Sequence, residues 1–485
     1  MEKEWRKIIN KGVVSLAVGA MALSVIACSN KDAKDEEEVS NKGNVVQTEG
    51  NGEEYIENEC LDEFELLQIE EEDSGVTYPN WMYWQKEKDV AFAVGDLDGN
   101  TCGIYGYKGA VSNLVVPSKI GDKNVIVFRG FGKCDNNQLE SVEIEDGEVD
   151  VVNISFKDCK KLKSVKLPDG LTNISYETFE GCENLEEIIV PDSIGMVDGD
   201  ILSGTKWYEK QLDGPLYLGK CLLGYKGIIP MNYTLNVKEG TKVISASAFE
   251  GNGQENLVKV EFPDSLERIN VCAFAGCENI ESIKLSGNVT VESFAFEGCE
   301  KLAQIEAGDD VKCVGSHIFE NTKWLKNQPD GMAYIGKNVI SFNESDNMQE
   351  GYEVVIKEGT KCIAGVAFMD CKKLGSVIMP DGVTDIGDSA FYGCSNLKSV
   401  QLPDTLIRID DCAFECCEEL KEITIPSSVE YIGGLALGYR FVDCAPNDYG
   451  GMYEPVDFEF VIHGQKGSFS EKYAKDNGFK FVAEE

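Results

Sequence analysis

Cysteine is the residue type with the most chemistry to offer in this chain: eighteen thiols stand against only two histidines, His317 and His463. In an exported protein so many cysteines ordinarily read as disulfides, and in tight clusters as metal ligands. Their spacing points elsewhere. Cys134, Cys159, Cys182, Cys277, Cys299, Cys371, Cys394 and Cys417 each follow a Phe by three residues, and Cys272 and Cys412 share a second setting just before the Phe. Side chains at one position of stacked copies point the same way, whereas a disulfide needs Cβ vectors converging to about 3.8 Å. The thiols are therefore expected to be free, buried and to behave as small hydrophobes. Keeping them free outside the cytoplasm implies a reducing or oxygen-poor habitat. Cys412, Cys416 and Cys417 cluster, but two of them are repeat positions and no Cys-x-x-Cys knuckle accompanies them, so no metal site is expected. Asp96-Leu97-Asp98-Gly99-Asn100 has its glycine at the fourth place of a calcium loop rather than the sixth, and reads as a tight turn. Gly-x-Ser-x-Gly, His-Glu-x-x-His and Walker phrases are all missing, so no catalytic residue and no cofactor is assigned.

The elements that carry these thiols are copies of one phrase. Phe368, Phe391 and Phe414 are 23 residues apart (391 − 368 and 414 − 391), and Phe156, Phe179, Phe249, Phe274, Phe296 and Phe319 head further copies. A full copy reads Phe391, Cys394, Leu397, Val400, Leu402, Pro403. Val400-Gln401-Leu402 alternates as a strand does, and the Pro that follows cannot donate to a ladder and ends it. Thr405 to Ile409 supplies a second extended piece. A fixed period of this length marks a solenoid, because one copy cannot bury its apolar face alone. Two stretches keep the arithmetic at double length: Leu202 to Phe249 is 47 residues and Phe319 to Phe368 is 49. They also match each other, TKWYEKQLDGPLYLGK from Thr205 against TKWLKNQPDGMAYIGK from Thr322, with Trp207, Tyr217, Trp324 and Tyr334 expected to pack these longer coils.

The phrase from about Leu114 to Ile432 resembles the BspA-like subfamily of leucine-rich repeats, with an Ala-Phe pair in place of an Asn ladder and a Pro after the strand. The resemblance implies a mainly β repeat solenoid of short parallel strands with terminal caps, in a bacterial surface protein engaged in adhesion or other surface contacts. Departures fall at Ser203 and Gly204, which follow Leu202 where Phe is expected, and at Gly287 and Gly308, near strand ends without Pro.

The flanks place the array. Residues 1–27 carry Lys3, Arg6, Lys7 and Lys11 and then a short apolar run, the form of an export signal. The run is short against the ~20 residues of a spanning helix. With Cys28 behind it the segment resembles a lipoprotein lipobox, which implies lipid on the Cys28 sulfur and anchoring to a membrane without crossing it. Residues 28–75 are a polar, acidic stretch expected to form a disordered stalk. Residues 76–130 are expected to cap the first coil, 131–435 to form the solenoid and 436–485 to cap the last, with Ser468 or Ser470 starting a short helix and Gly478 ending it. The net charge of −40 becomes −42 without the signal's +4 and −2, which argues against nucleic acid as a partner.

One outward residue per strand should line up into a rung: Glu143, Lys166, Ile189, Glu261, Lys284, Glu306, Ile378, Gln401 and Thr424. Of these Lys166, Glu261, Lys284, Glu306, Gln401 and Thr424 are the candidate contacts for a protein or glycan partner. The competing expectations are a structural envelope protein without a specific ligand, and an accessory or hydrolytic subunit with its site in the less regular stretches 76–133 or 433–457.

Overall fold

The computed structural model describes residues 82–87, 90–97, 99–108, 111–128, 138–147, 153–251, 253–442, 452–455 and 460–484. The export signal, Cys28, the acidic stretch, Phe131 and Cys134 lie outside the described residues. The chain divides into two compact units, residues 1–193 with 201–210, and residues 194–200 with 211–485.

In the first unit Met82–Glu87, Val90–Asp96 and Thr101–Lys108 form an antiparallel sheet that continues in parallel into Lys123–Phe128 and Asn153–Ile154. A second, wholly parallel ladder joins Asn113–Val116, Ser141–Ile144, Ser164–Lys166 and Glu187–Ile189. Alternation decides which side is buried: Val142, Ile144, Val165 and Leu167 point into the core. Phe156 and Phe179 stack there with ring centroids 5.9 Å apart.

The second unit repeats this plan at greater length. One parallel ladder takes two-residue strands from each coil, Val243–Ile244, Arg268–Ile269, Thr290–Val291 and Lys312–Cys313 in one sheet, then Cys362–Ile363, Asp385–Ile386, Arg408–Ile409 and Tyr431–Ile432 in another. The longer strands form Tyr233–Asn236 with Leu257–Glu261, Ser282–Leu285 with Gln304–Ala307, and Tyr352–Val355 with Leu374–Ile378 and Ser399–Gln401. Phe249, Phe274, Phe296 and Phe319 stack at 5.0, 5.3 and 5.7 Å, and Phe342, Phe368, Phe391 and Phe414 at 5.2, 4.8 and 5.0 Å. Each such ring, removed from water, contributes roughly 1.5–3 kcal/mol.

A third ladder, with no strand assigned, runs along the Phe turn. The amides two before the Phe, at the Phe and two after it donate to the next coil, as in Ser389 to Asp411 (2.9 Å), Phe391 to Ala413 (2.8 Å) and Gly393 to Glu415 (2.9 Å). The residue two before the Phe is left-handed in the coils of Phe249, Phe274, Phe296, Phe319, Phe368, Phe391 and Phe414, including Cys272 (φ 57°), Val366 (φ 55°) and Ser389 (φ 55°). For a β-branched residue such as Val366 this costs roughly 1–2 kcal/mol, offset by the inter-coil bond that its amide makes to Asp388 (2.9 Å).

The double-length stretches are each two coils. The first coil of each replaces the long strand with a single helical turn, Lys206–Glu209 or Lys323–Lys326, capped by Thr205 or Thr322. An antiparallel hairpin follows, Gly214–Leu218 with Cys221–Lys226 or Gly331–Ile335 with Asn338–Asn343, whose second strand joins the short-strand ladder in parallel. Three of the aromatics pack as expected: Trp324 meets Phe319 edge-on at 5.9 Å, and the Tyr217 and Tyr334 hydroxyls accept from the Lys238 and Lys357 amides at 3.0 and 3.1 Å. At the C-terminal end Ser468 caps the helix Phe469–Asp476, Gly478 turns left-handed at φ 73°, and Lys480–Ala483 closes a sheet with Val461–Gly464 and Glu422–Ile425.

Candidate binding surface

Parallel pairing in register puts the outward residues of the longer strands side by side. Val115, Glu143, Lys166 and Ile189 form one such row in the first unit. In the second unit Asn236 pairs with Glu261, Lys284 with Glu306, Val355 with Ile378 and Gln401, and Thr424 with His463. Glu261, Lys284, Glu306, Gln401 and Thr424 are exposed, and Lys166 is half-buried. The rows thus exist, but as separate sheets rather than one continuous ladder. Several members are already paired: Lys166 reaches Glu143 at 2.7 Å, a bond that raises its pKa, and Lys259 reaches Glu261 at 2.5 Å. Exposed pairs of this kind are worth little and exchange readily for a partner's groups.

A second cluster was not legible in the sequence. The hairpin wedges the coil of Phe319 away from the coil of Phe368 except at one corner, where Ser316 bridges Gly365. Gly365 has no side chain to block the gap, since a Cβ there would lie 2.3 Å from Ser316 Oγ. Ser316 Oγ consequently reaches past it to donate to Asp388 Oδ2 at 3.1 Å, and Lys312 reaches Asp385 at 3.0 Å. Burial pushes the Asp388 carboxyl up to about 6. Arg408 forks onto Asp410 (2.8 and 3.1 Å) and lies 3.9 Å over the Tyr431 ring, while Arg268 pairs with Glu292, whose pKa burial raises despite that pair. The charges satisfy one another and strap the corner.

Of the cysteines at the shared repeat position, Cys182, Cys277, Cys299, Cys371, Cys394 and Cys417 are free and buried, as expected, and four of them do more than fill space. Cys182, Cys299, Cys394 and Cys417 each donate an S–H to the carbonyl of the Phe one coil earlier, Phe156, Phe274, Phe368 and Phe391, at 3.0, 3.3, 3.1 and 3.2 Å. Burial pushes the Cys182 and Cys299 thiols up to about 12, and Cys394 and Cys417 higher still. Such thiols are protonated and unreactive at neutral pH. Among the described residues no His, Cys, Asp and Glu group is arranged to hold a metal, and no helix is long and apolar enough to cross a membrane.

No curated protein matches the chain. Among solved structures it is similar to a leucine-rich repeat protein from Bacteroides ovatus (19% identity, covering 83% of this chain and 98% of that one, TM-score 0.23). It is also similar to a leucine rich cell surface protein from Faecalibacterium prausnitzii (22%, 71% and 83%, TM-score 0.26) and to the pneumococcal vaccine antigen PcpA (15%, 84% and 100%, TM-score 0.24). The family model for the BspA type leucine rich repeat region matches residues 124–210, 232–349 and 335–440, more than half of the chain. With its stacked Phe rings and parallel strand ladders, the chain belongs to the BspA type leucine rich repeat family.

Proposed function

We propose that this protein is exported, tethered by lipid on Cys28 to a bacterial membrane, and binds a protein or glycan partner through the outward rows of its longer strands. The observation that carries the reading is the register of those rows, which sets Lys284 beside Glu306 and Ile378 beside Gln401 on strands whose inner residues pack against the core. Charged, amide and aliphatic groups at the ~4.8 Å strand spacing suit an extended ligand better than a small one, and repeat arrays use such faces for binding. The export signal, the Cys that follows it and the family support the surface location. Immobilised matrix proteins, mucins and glycans, probed with the chain lacking residues 1–28, test it. Binding lost on Lys284→Glu with Gln401→Glu supports the strand face, and no binding to any of them removes it. Radiolabelled palmitate incorporated by the wild type but not by Cys28→Ser tests the tether separately. The pairing of Lys166 with Glu143 favours a second reading, a spacer with a self-satisfied face. That reading gains if the substitutions change nothing.

A further inference from the structure

On the turn side each inter-coil peptide group accepts through its carbonyl from the coil before and donates through its N–H to the coil after. The groups stand head to tail, as along an α-helix, and polarise one another. One column runs from the Phe249 amide to Ala273 (3.0 Å), from Phe274 to Ala295 (2.9 Å) and from Phe296 to Ile318 (2.9 Å), and ends at the Phe319 N–H. Another begins at the Met369 carbonyl and runs from Asp370 to Tyr392 (2.8 Å), Gly393 to Glu415 (2.9 Å) and Cys416 to Tyr439 (2.7 Å). Between them the hairpin has removed a rung. The Ala367 carbonyl is taken by the Phe342 amide at 2.7 Å. Among the described residues, neither the Phe319 N–H nor the Met369 carbonyl has a hydrogen-bond partner.

Phe319 and Met369 line one cleft of about 190 Å³, together with Ile340, Val366, Glu320 and Asp370. Met369 is 40% exposed at its edge. The residues that carry the positive end of one column and the negative end of another therefore line one space with aliphatic walls and two carboxylates. We propose that this cleft binds an extended peptide segment of another protein. The segment's C=O takes the Phe319 N–H, its N–H takes the Met369 carbonyl, an aliphatic side chain fills the space beside Ile340 and Val366, and a Lys or Arg meets Glu320 and Asp370. This is strand addition at a gap inside the array instead of at its end. Lys372 lies 3.8 Å from Asp370 with both groups more than half exposed, a pair that a ligand displaces at little cost. The acidic residues 28–75 of this chain carry the wrong charge for the site. The site is apart from the strand rows and stands independently of the function proposed above.

The test is calorimetric titration of the purified full chain with acetyl-Gly-Lys-Leu-Lys-Gly-amide and its Lys-Ala-Lys and Glu-Leu-Glu counterparts. The Lys-Leu-Lys peptide is expected to bind with a dissociation constant of about 1 mM or tighter, about tenfold or more ahead of both others. Glu320→Lys with Asp370→Lys should reverse the order of the Lys-Leu-Lys and Glu-Leu-Glu peptides. Ser341→Trp, which fills the cleft from the hairpin strand, should abolish binding. Equal affinity for the three peptides, no binding at about 10 mM, or an order unchanged by the charge reversal overturns the proposal. The charge reversal touches only exposed or half-exposed groups, so it decides the matter even if Ser341→Trp does not fold.

Discussion

The regular coils from Phe368 to Ala436 and the hairpin-bearing stretch from Thr322 to Ala364 meet the same requirement by different means. Both must satisfy the backbone of one coil against the next. The regular coils do it by repetition: Phe on Phe, thiol on carbonyl, amide on carbonyl, each contact the same as the one before. The hairpin stretch does it with single residues that have no counterpart in the period. Asn338, fully buried, accepts from the Cys313 amide at 3.0 Å and donates to the Val311 and Ile335 carbonyls at 2.9 and 3.0 Å. Gly365 lets Ser316 reach Asp388. Repetition gives stability spread over many equal contacts, while the irregular stretch concentrates polar, less redundant contacts where the array opens.

Substitutions can sharpen that contrast. Phe391→Ala removes a ring stacked at both faces and is expected to cost ~3–5 kcal/mol in denaturant unfolding; a loss below ~1 kcal/mol would contradict the stacking. Asp388→Asn tests the corner with the opposite sign. Its folded pKa of about 6 lies above the ordinary 3.8 because of burial, so the ionised form is penalised in the folded state. The penalty is absent below pH ~4, grows between the two values and is complete above pH ~6.5. The Asn variant should therefore be more stable than wild type by up to ~3 kcal/mol at about pH 7.5 and indistinguishable near pH 4, as read from melting temperatures across that range. Gly365→Ala should cost ~1–3 kcal/mol through overpacking against Ser316, and if it costs nothing the close approach at the corner is wrong. Cys394→Ala should lose ~1 kcal/mol with its S–H bond. In the same sample the ladder thiols should resist alkylation at neutral pH until the chain is unfolded, and fast labelling of the native protein would contradict their burial.

Much of the regular array was readable from residue order alone. The Phe period, the shared cysteine position, the alternation that exposes Gln401 and buries Val377, and a helix started by Ser468 or Ser470 all follow from spacing and side-chain type. The turn ladder was not readable, because its left-handed residues, such as Cys272, Val366 and Ser389, share no side-chain type and are not glycine, the residue that ordinarily marks a positive φ. Phe342 continues the aromatic stack beside Phe368, yet it follows Ser341 instead of Ala and has no Cys three residues on, so the phrase around it is unrecognisable. The charged corner joins Lys312 to Asp385 across 73 residues. Only the bend imposed by the hairpin brings them together, and no local pattern encodes it. The cysteine hydrogen bonds are an intermediate case: position was legible, but the direction of the S–H was not.

The one-way columns of peptide groups also bear on how the chain is made. Each coil holds backbone N–H groups that wait for carbonyls of the coil that follows it in sequence, so during synthesis the newest folded turn presents peptide donors to the arriving segment on that side, with the Phe carbonyl left for the next Cys S–H. Growth from the N-terminal end then proceeds like the closing of a zip, each arriving segment completing its predecessor over a separation of little more than twenty residues. Such short-range assembly is fast, and it leaves the chain at every stage with a single growing end to protect.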